Sequence, residues 1–165
     1  MTELVYTPES WNDLYVMFGG AAAALAGLIF VAVSLNDEAV LQARALPALV
    51  LRTLSTLIGI IVLCGAGLIP GQDPFFLGLE VLIVGVALTG ISFVTTVRNF
   101  SSTTYVSRRI VLLLLAAAAS LPAVIGGISI LAGVGGGQYW LAFGFAAGTI
   151  VASYHAWILL IVIRR

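Results

Sequence analysis

Of the 165 residues, 61% are apolar and 8% charged, the formal net charge is zero, and the mean hydropathy is +1.17. A composition this apolar excludes a soluble globular domain and a nucleic-acid-binding surface, and reads as an all-α integral membrane protein made of a single domain. The chain is long enough for several spans of about 20 residues each but leaves little for a solute cavity of its own, so a homo-oligomer is expected.

Five apolar stretches long enough to span occur at 14–35, 48–69, 75–97, 109–131 and 139–163, predicting a bundle of five transmembrane helices. Before the first lies T-P-E-S-W-N-D, where Ser10 and Asp13 have the spacing of a capping box. The first span then carries G-G-A-A-A-A-L-A-G-L, residues 19–28, which places Gly19, Ala23 and Gly27 at i, i+4, i+8, with Gly20 and Ala24 beside them. Two helices in lipid gain little from mutual burial, so they associate where small residues let their backbones approach. The strip is read as packing within the chain or, alternatively, as a face that meets its own copy or borders a pore at an oligomer axis. Asn12 and Asp13 precede this span, and Asn36, Asp37 and Glu38 follow it. Around such an axis they would form acidic rings that attract cations. Asp13 can equally be a helix-terminal residue, and Asp37 and Glu38 can pair with Arg44 or Arg52. The stretch from Asn36 to Leu46 reads as a short interfacial helix.

Pro47 suits the first turn of the second span, Arg52 is placed to snorkel to the interface, and Cys64 reads as a small buried hydrophobe. Pro70-Gly71-Gln72-Asp73-Pro74 is a tight turn. In the third span Glu80 has no basic residue on its side to pair with, and Thr89, Ser92 and Thr96, followed by Asn99, share one helical face. That face is either a polar lining for ions or water, or a set of hydroxyls bonded to their own and neighbouring helices. The fourth span repeats the small-residue spacing with Ala119, Ala123 and Gly127, and Pro122 should kink it by leaving the carbonyl of Ala118 without its donor. After the turn Gly135-Gly136-Gly137-Gln138, the fifth span carries Gly144, Gly148 and Ala152 and the only histidine, His155. An ionisable residue inside a span is a candidate proton-relay or gating group, or else a neutral histidine hydrogen-bonded to a neighbouring helix.

All seven basic residues are arginines, namely Arg44, Arg52, Arg98, Arg108, Arg109, Arg164 and Arg165, and with five spans they all fall on one side. The positive-inside rule then puts the C-terminus in the cytoplasm and the N-terminus outside, in a bacterial inner (plasma) membrane. Trp11, Tyr15, Phe75, Phe76, Tyr139 and Trp140 are expected in the outer aromatic belt. The acidic start argues against a secretory signal peptide.

One His, one Cys and no carboxylate cluster with ligand spacing point away from an enzyme and imply neither metal nor cofactor. Residues 11–36, W-N-D-L-Y-V-M-F-G-G-A-A-A-A-L-A-G-L-I-F-V-A-V-S-L-N, resemble the start of small actinobacterial membrane proteins labelled modulators of the FtsH protease or uncharacterised. The resemblance implies a regulatory role beside a membrane protease and carries no functional residue across. Two functions are therefore expected. One is a homo-oligomeric channel or small transporter, for cations rather than anions, with Asp13, Glu80 and His155 as ionisable candidates. The other is a regulatory or scaffolding subunit that binds a second membrane protein in the bilayer.

Overall fold

The computed structural model describes residues 8–36, 40, 46–98 and 106–163. Five helices make up this part of the chain: α1 (Asn12–Ser34), α2 (Leu46–Gly67), α3 (Pro74–Arg98), α4 (Val106–Ala132) and α5 (Gln138–Ile163). Each is long and apolar enough to cross a membrane, and each overlaps one of the stretches singled out by hydropathy, α1 ending one residue and α2 two residues short of the expected end. A helix bonds every backbone group internally except at its ends, which suits a segment with almost no side chain able to replace a lost peptide hydrogen bond. Residues 1–7, 37–39, 41–45, 99–105, 164 and 165 lie outside the described residues. With them go Asp37, Glu38, Arg44, Asn99, Arg164, Arg165 and most of the expected interfacial helix.

The ends are set by local chemistry. A single 3-10 turn, Pro8–Trp11, runs into α1, whose N-cap is Trp11 with no side-chain cap bond. The capping box expected of Ser10 and Asp13 is thus not formed, because Ser10 is taken up in the 3-10 turn and Asp13 already stands in the first turn of α1. Between α2 and α3, Gly71 takes φ +67°, and the Asp73 carboxylate accepts the backbone N–H of Phe75 at 2.8 Å. Between α4 and α5 the turn folds around Ser129. Its hydroxyl donates to the Val134 carbonyl and accepts the N–H of Gly137 at 2.7 Å, while the Trp140 indole donates to the Gly135 carbonyl at 2.8 Å. Gly136, at φ +98°, adopts backbone that an L side chain rarely takes.

Helices α1 to α5 form a ring of successive neighbours, closed by α5 against α1, with α2 also packed on α5 through the middle. Accordingly α2 has the largest share of buried residues and α1 the smallest. The contacts are made at small residues. Gly127 of α4 lies on the backbone of Leu82, and Gly85 of α3 lies on the backbone of Ala123 and Val124, so α3 and α4 touch main chain to main chain. Gly144 takes Pro122, Gly148 takes Ile60 and Thr56, and Ala152 is buried. Pro122 lies within α4, which runs unbroken on both sides of it.

The first span departs from its expected strip. Tyr15, Ala22 and Ile29, seven residues apart, form the buried seam of α1, and Gly19 beside it faces Cys64, an added Cβ coming 3.1 Å from the Cys64 Cβ. Ala23 and Gly27 are exposed, and Gly20 and Gly27 have nothing within 4 Å of an added Cβ. The reason is angular: positions four apart advance by about 40° around a helix, so an i, i+4, i+8 strip rotates off a seam that repeats every seven residues. Tyr15, assigned to the outer belt, is instead buried at 1% exposure, its ring filling the space left by Gly67.

Candidate functional site

The alternation of the helices brings the C-terminal parts of α3 and α5 to the same end as the N-terminal part of α2. There Arg52 and Thr53 of α2, Thr96 of α3 and His155 of α5 converge, at 7%, 1%, 1% and 3% exposure. Arg52 does not snorkel. Its Nη1 donates to the Thr96 hydroxyl at 3.2 Å, and its Nη2 meets His155 Nε2 at 2.7 Å. The reason is that both acceptors stand on helices facing it, so the guanidinium finds partners inside the bundle.

The protons of this cluster follow from its chemistry. A guanidinium only donates, so His155 Nε2 must be the acceptor and the neutral ring carries its proton on Nδ1. Nδ1 lies 3.1 Å from the Thr53 hydroxyl, which accepts its N–H and itself donates to the Leu49 carbonyl at 2.8 Å. The result is one directed chain, Arg52 to His155 to Thr53 to Leu49. Protonation of Nε2 would remove the acceptor that Arg52 uses, so the present arrangement and a doubly protonated His155 exclude one another.

The guanidinium is held by a hydroxyl and an imidazole, both neutral, and no carboxylate stands beside it among the described residues. A buried charge is costly unless it is paired or richly hydrogen-bonded. Thr96 sits in the last turn of α3, where the negative end of the helix dipole offsets some of that cost. With two helices between them in sequence, Arg52 and His155 are 103 residues apart, and nothing in the local pattern of either span marks them as partners. The available signal was coarser: one cation and one imidazole, each inside an apolar run, at depths that antiparallel packing makes equal.

The other expected site residues are dispersed. Asp13 is exposed at the opposite end of the bundle. Glu80, at that same end, is half-buried and accepts a hydrogen bond from Gln72 Nε2 at 2.7 Å. Neither reaches His155. Asn36 donates to the Ala32 carbonyl at 2.9 Å, closing the end of its own helix. Thr89 donates to the Gly85 carbonyl at 2.8 Å, and together with the buried Ser92 it lines a cleft between α3 and α4. The polar face of α3 therefore splits, Thr96 turning to Arg52 and Thr89 to α4. Also at the far end, the Tyr15 hydroxyl donates to Gln138 Oε1, and Gln138, 1% exposed, has no partner for its Nε2. Among the described residues no group of three His, Cys, Asp or Glu stands close enough to hold a metal ion.

Comparison with family models, with curated proteins and with solved structures finds no match to this chain.

Proposed function

We propose that the chain is a multi-pass protein of a bacterial inner membrane, N-terminus outside and C-terminus cytoplasmic, that works as a homo-oligomeric channel or small transporter. The Arg52–His155 cluster is its charge-handling centre. The observation that carries this reading is the convergence of a buried guanidinium, an imidazole and two hydroxyls from three helices in an otherwise apolar bundle. Intramembrane ionisable groups are expensive, and their usual use is in substrate or proton pathways. A guanidinium repels metal cations and attracts anions, while the neutral imidazole beside it offers a site for a proton, so the cluster suits anions or protons rather than the metal cations expected from acidic rings. A proton reaching Nε2 displaces Arg52 from its acceptor, which couples titration of the histidine to movement of the buried guanidinium.

Purified protein in liposomes should carry proton or chloride flux that falls at least tenfold in His155→Ala and Arg52→Gln while the helical content is unchanged. Vesicles that stay impermeable to both across pH 5–8 and an applied potential would end the transport reading.

A second reading rests on α1. Its exposed Gly20, Ala23 and Gly27 would let another helix approach closely, which suits a regulatory subunit bound to a second membrane protein, as the resemblance of residues 11–36 implies. Crosslinking in native membranes that recovers a partner, lost on Gly27→Leu, would favour it.

A further inference from the structure

The cleft between α3 and α4 has a volume of about 410 Å³ and is walled by Thr89, Ser92 and Phe93 on one side and by Ile110, Leu113 and Ala117 on the other. Two of its three hydroxyls are bonded within their own helices: Thr89 bonds the Gly85 carbonyl at 2.8 Å and Ser120 the Ala116 carbonyl at 2.9 Å. The surface offered is therefore apolar. Along α4 the cleft extends from Ile110 to Leu121, about 16 Å at 1.5 Å per residue, which is roughly half the hydrocarbon thickness of a bilayer and hence the depth of one leaflet.

One end of this cleft is charged. Arg109, half-buried, immediately precedes Ile110 and stands one turn before Leu113 on the same helical face. An apolar slot one leaflet deep, with Arg109 at its mouth, matches the two halves of an anionic phospholipid: an acyl chain along the slot and a phosphate at the arginine. We propose that the α3–α4 cleft is a binding site for one anionic phospholipid of the leaflet on the arginine side, with Arg109 as its main headgroup contact. The site depends on the chain spanning a membrane and is independent of whether it transports anything.

The test uses the whole chain released from nanodiscs that contain equal amounts of phosphatidylglycerol and phosphatidylcholine with identical acyl chains, read by native mass spectrometry. The expected result is one phosphatidylglycerol retained per chain, preferred over phosphatidylcholine by about fivefold for each arginine engaged. Arg109→Gln should reduce that preference and Arg109→Lys should keep most of it. Ala117→Phe, which fills the slot, should lower retention of both lipids, while Val16→Phe on the exposed face of α1 should change neither. Equal retention of the two lipids by the unaltered chain overturns the proposal, as does full retention in Ala117→Phe, or a protein dimer that carries no lipid. If Ala117→Phe fails to fold, the contrast between Arg109→Gln and Arg109→Lys still decides.

Discussion

Replacing Gly127 by alanine adds a single methyl group at the closest backbone contact between α4 and α3. That methyl would lie 2.7 Å from the Leu82 nitrogen and 2.9 Å from its Cα. Comfortable carbon contacts lie near 3.5–4.0 Å, and main-chain atoms cannot rotate aside, so α4 has to move off α3 by close to 1 Å. Overpacking of this kind costs about 1–3 kcal/mol. Alanine also recovers about 1 kcal/mol of helix propensity relative to glycine, which would blur the sign of a single measurement. The same change at Gly90 of α3, where nothing lies within 4 Å, gains the propensity without the clash. The difference between the two variants therefore isolates the steric cost. Unfolding in mild detergent titrated with dodecyl sulfate, followed by circular dichroism, should put Gly127→Ala below Gly90→Ala by about 1–3 kcal/mol. Gly85→Ala, whose methyl would sit 2.9 Å from the Ala123 carbonyl carbon and the Val124 nitrogen, should behave like Gly127→Ala. The two together should cost less than their sum, because one separation of the helices relieves both. Stabilities of Gly127→Ala and Gly90→Ala within about 0.5 kcal/mol of each other would refute the main-chain packing of α3 on α4.

Other outcomes follow from the same structure. His155→Ala deprives Arg52 Nη2 of its acceptor and Thr53 of its donor, and should cost about 1–3 kcal/mol in the same unfolding assay; Arg52→Met combined with His155→Leu should cost less than His155→Ala alone, since no charge is left stranded. Tyr15→Phe removes the donor to Gln138 Oε1 and leaves a buried amide with no partner at either atom, a loss of about 1–3 kcal/mol in that assay. Gly136→Ala, at φ +98°, should lower stability by about 1–3 kcal/mol, whereas Gly65→Ala in helical backbone with open space around it should not. With Cys64→Ala as background, Asp13→Cys should react with an impermeant maleimide added to intact cells and Arg98→Cys only after permeabilisation; the reverse pattern would overturn the proposed orientation.

Which residues build helices was readable from the chain alone. Hydropathy is a local property, and glycine and proline punctuate the turns by their own backbone preferences, so the five helices and the turn at Gly71 lie close to where the pattern indicates, while the turn expected at Gly135–Gln138 runs from Gly133 to Gly137 with Gln138 opening α5. Which face of each helix turns inward was not readable. In a soluble protein the polar side of a helix marks its outside, but here the interior and the outward faces are equally apolar, and the hydrophobic periodicity that would orient a helix is nearly absent. Tyr15 could therefore be taken for a belt residue although it fills the core. Gly19, Ala23 and Gly27 could be read as one strip although only Gly19 packs within the chain, against Cys64. Arg52 shows the same limit most sharply. Its sequence position, about one turn into a span, allows either escape to the interface or burial, and the two differ only by whether acceptors on other helices reach it. Thr96 and His155 do, from helices whose register against α2 is set by contacts such as Gly148 on Ile60 and Gly59 on Leu88, and that register is a property of the assembled bundle, not of any one segment.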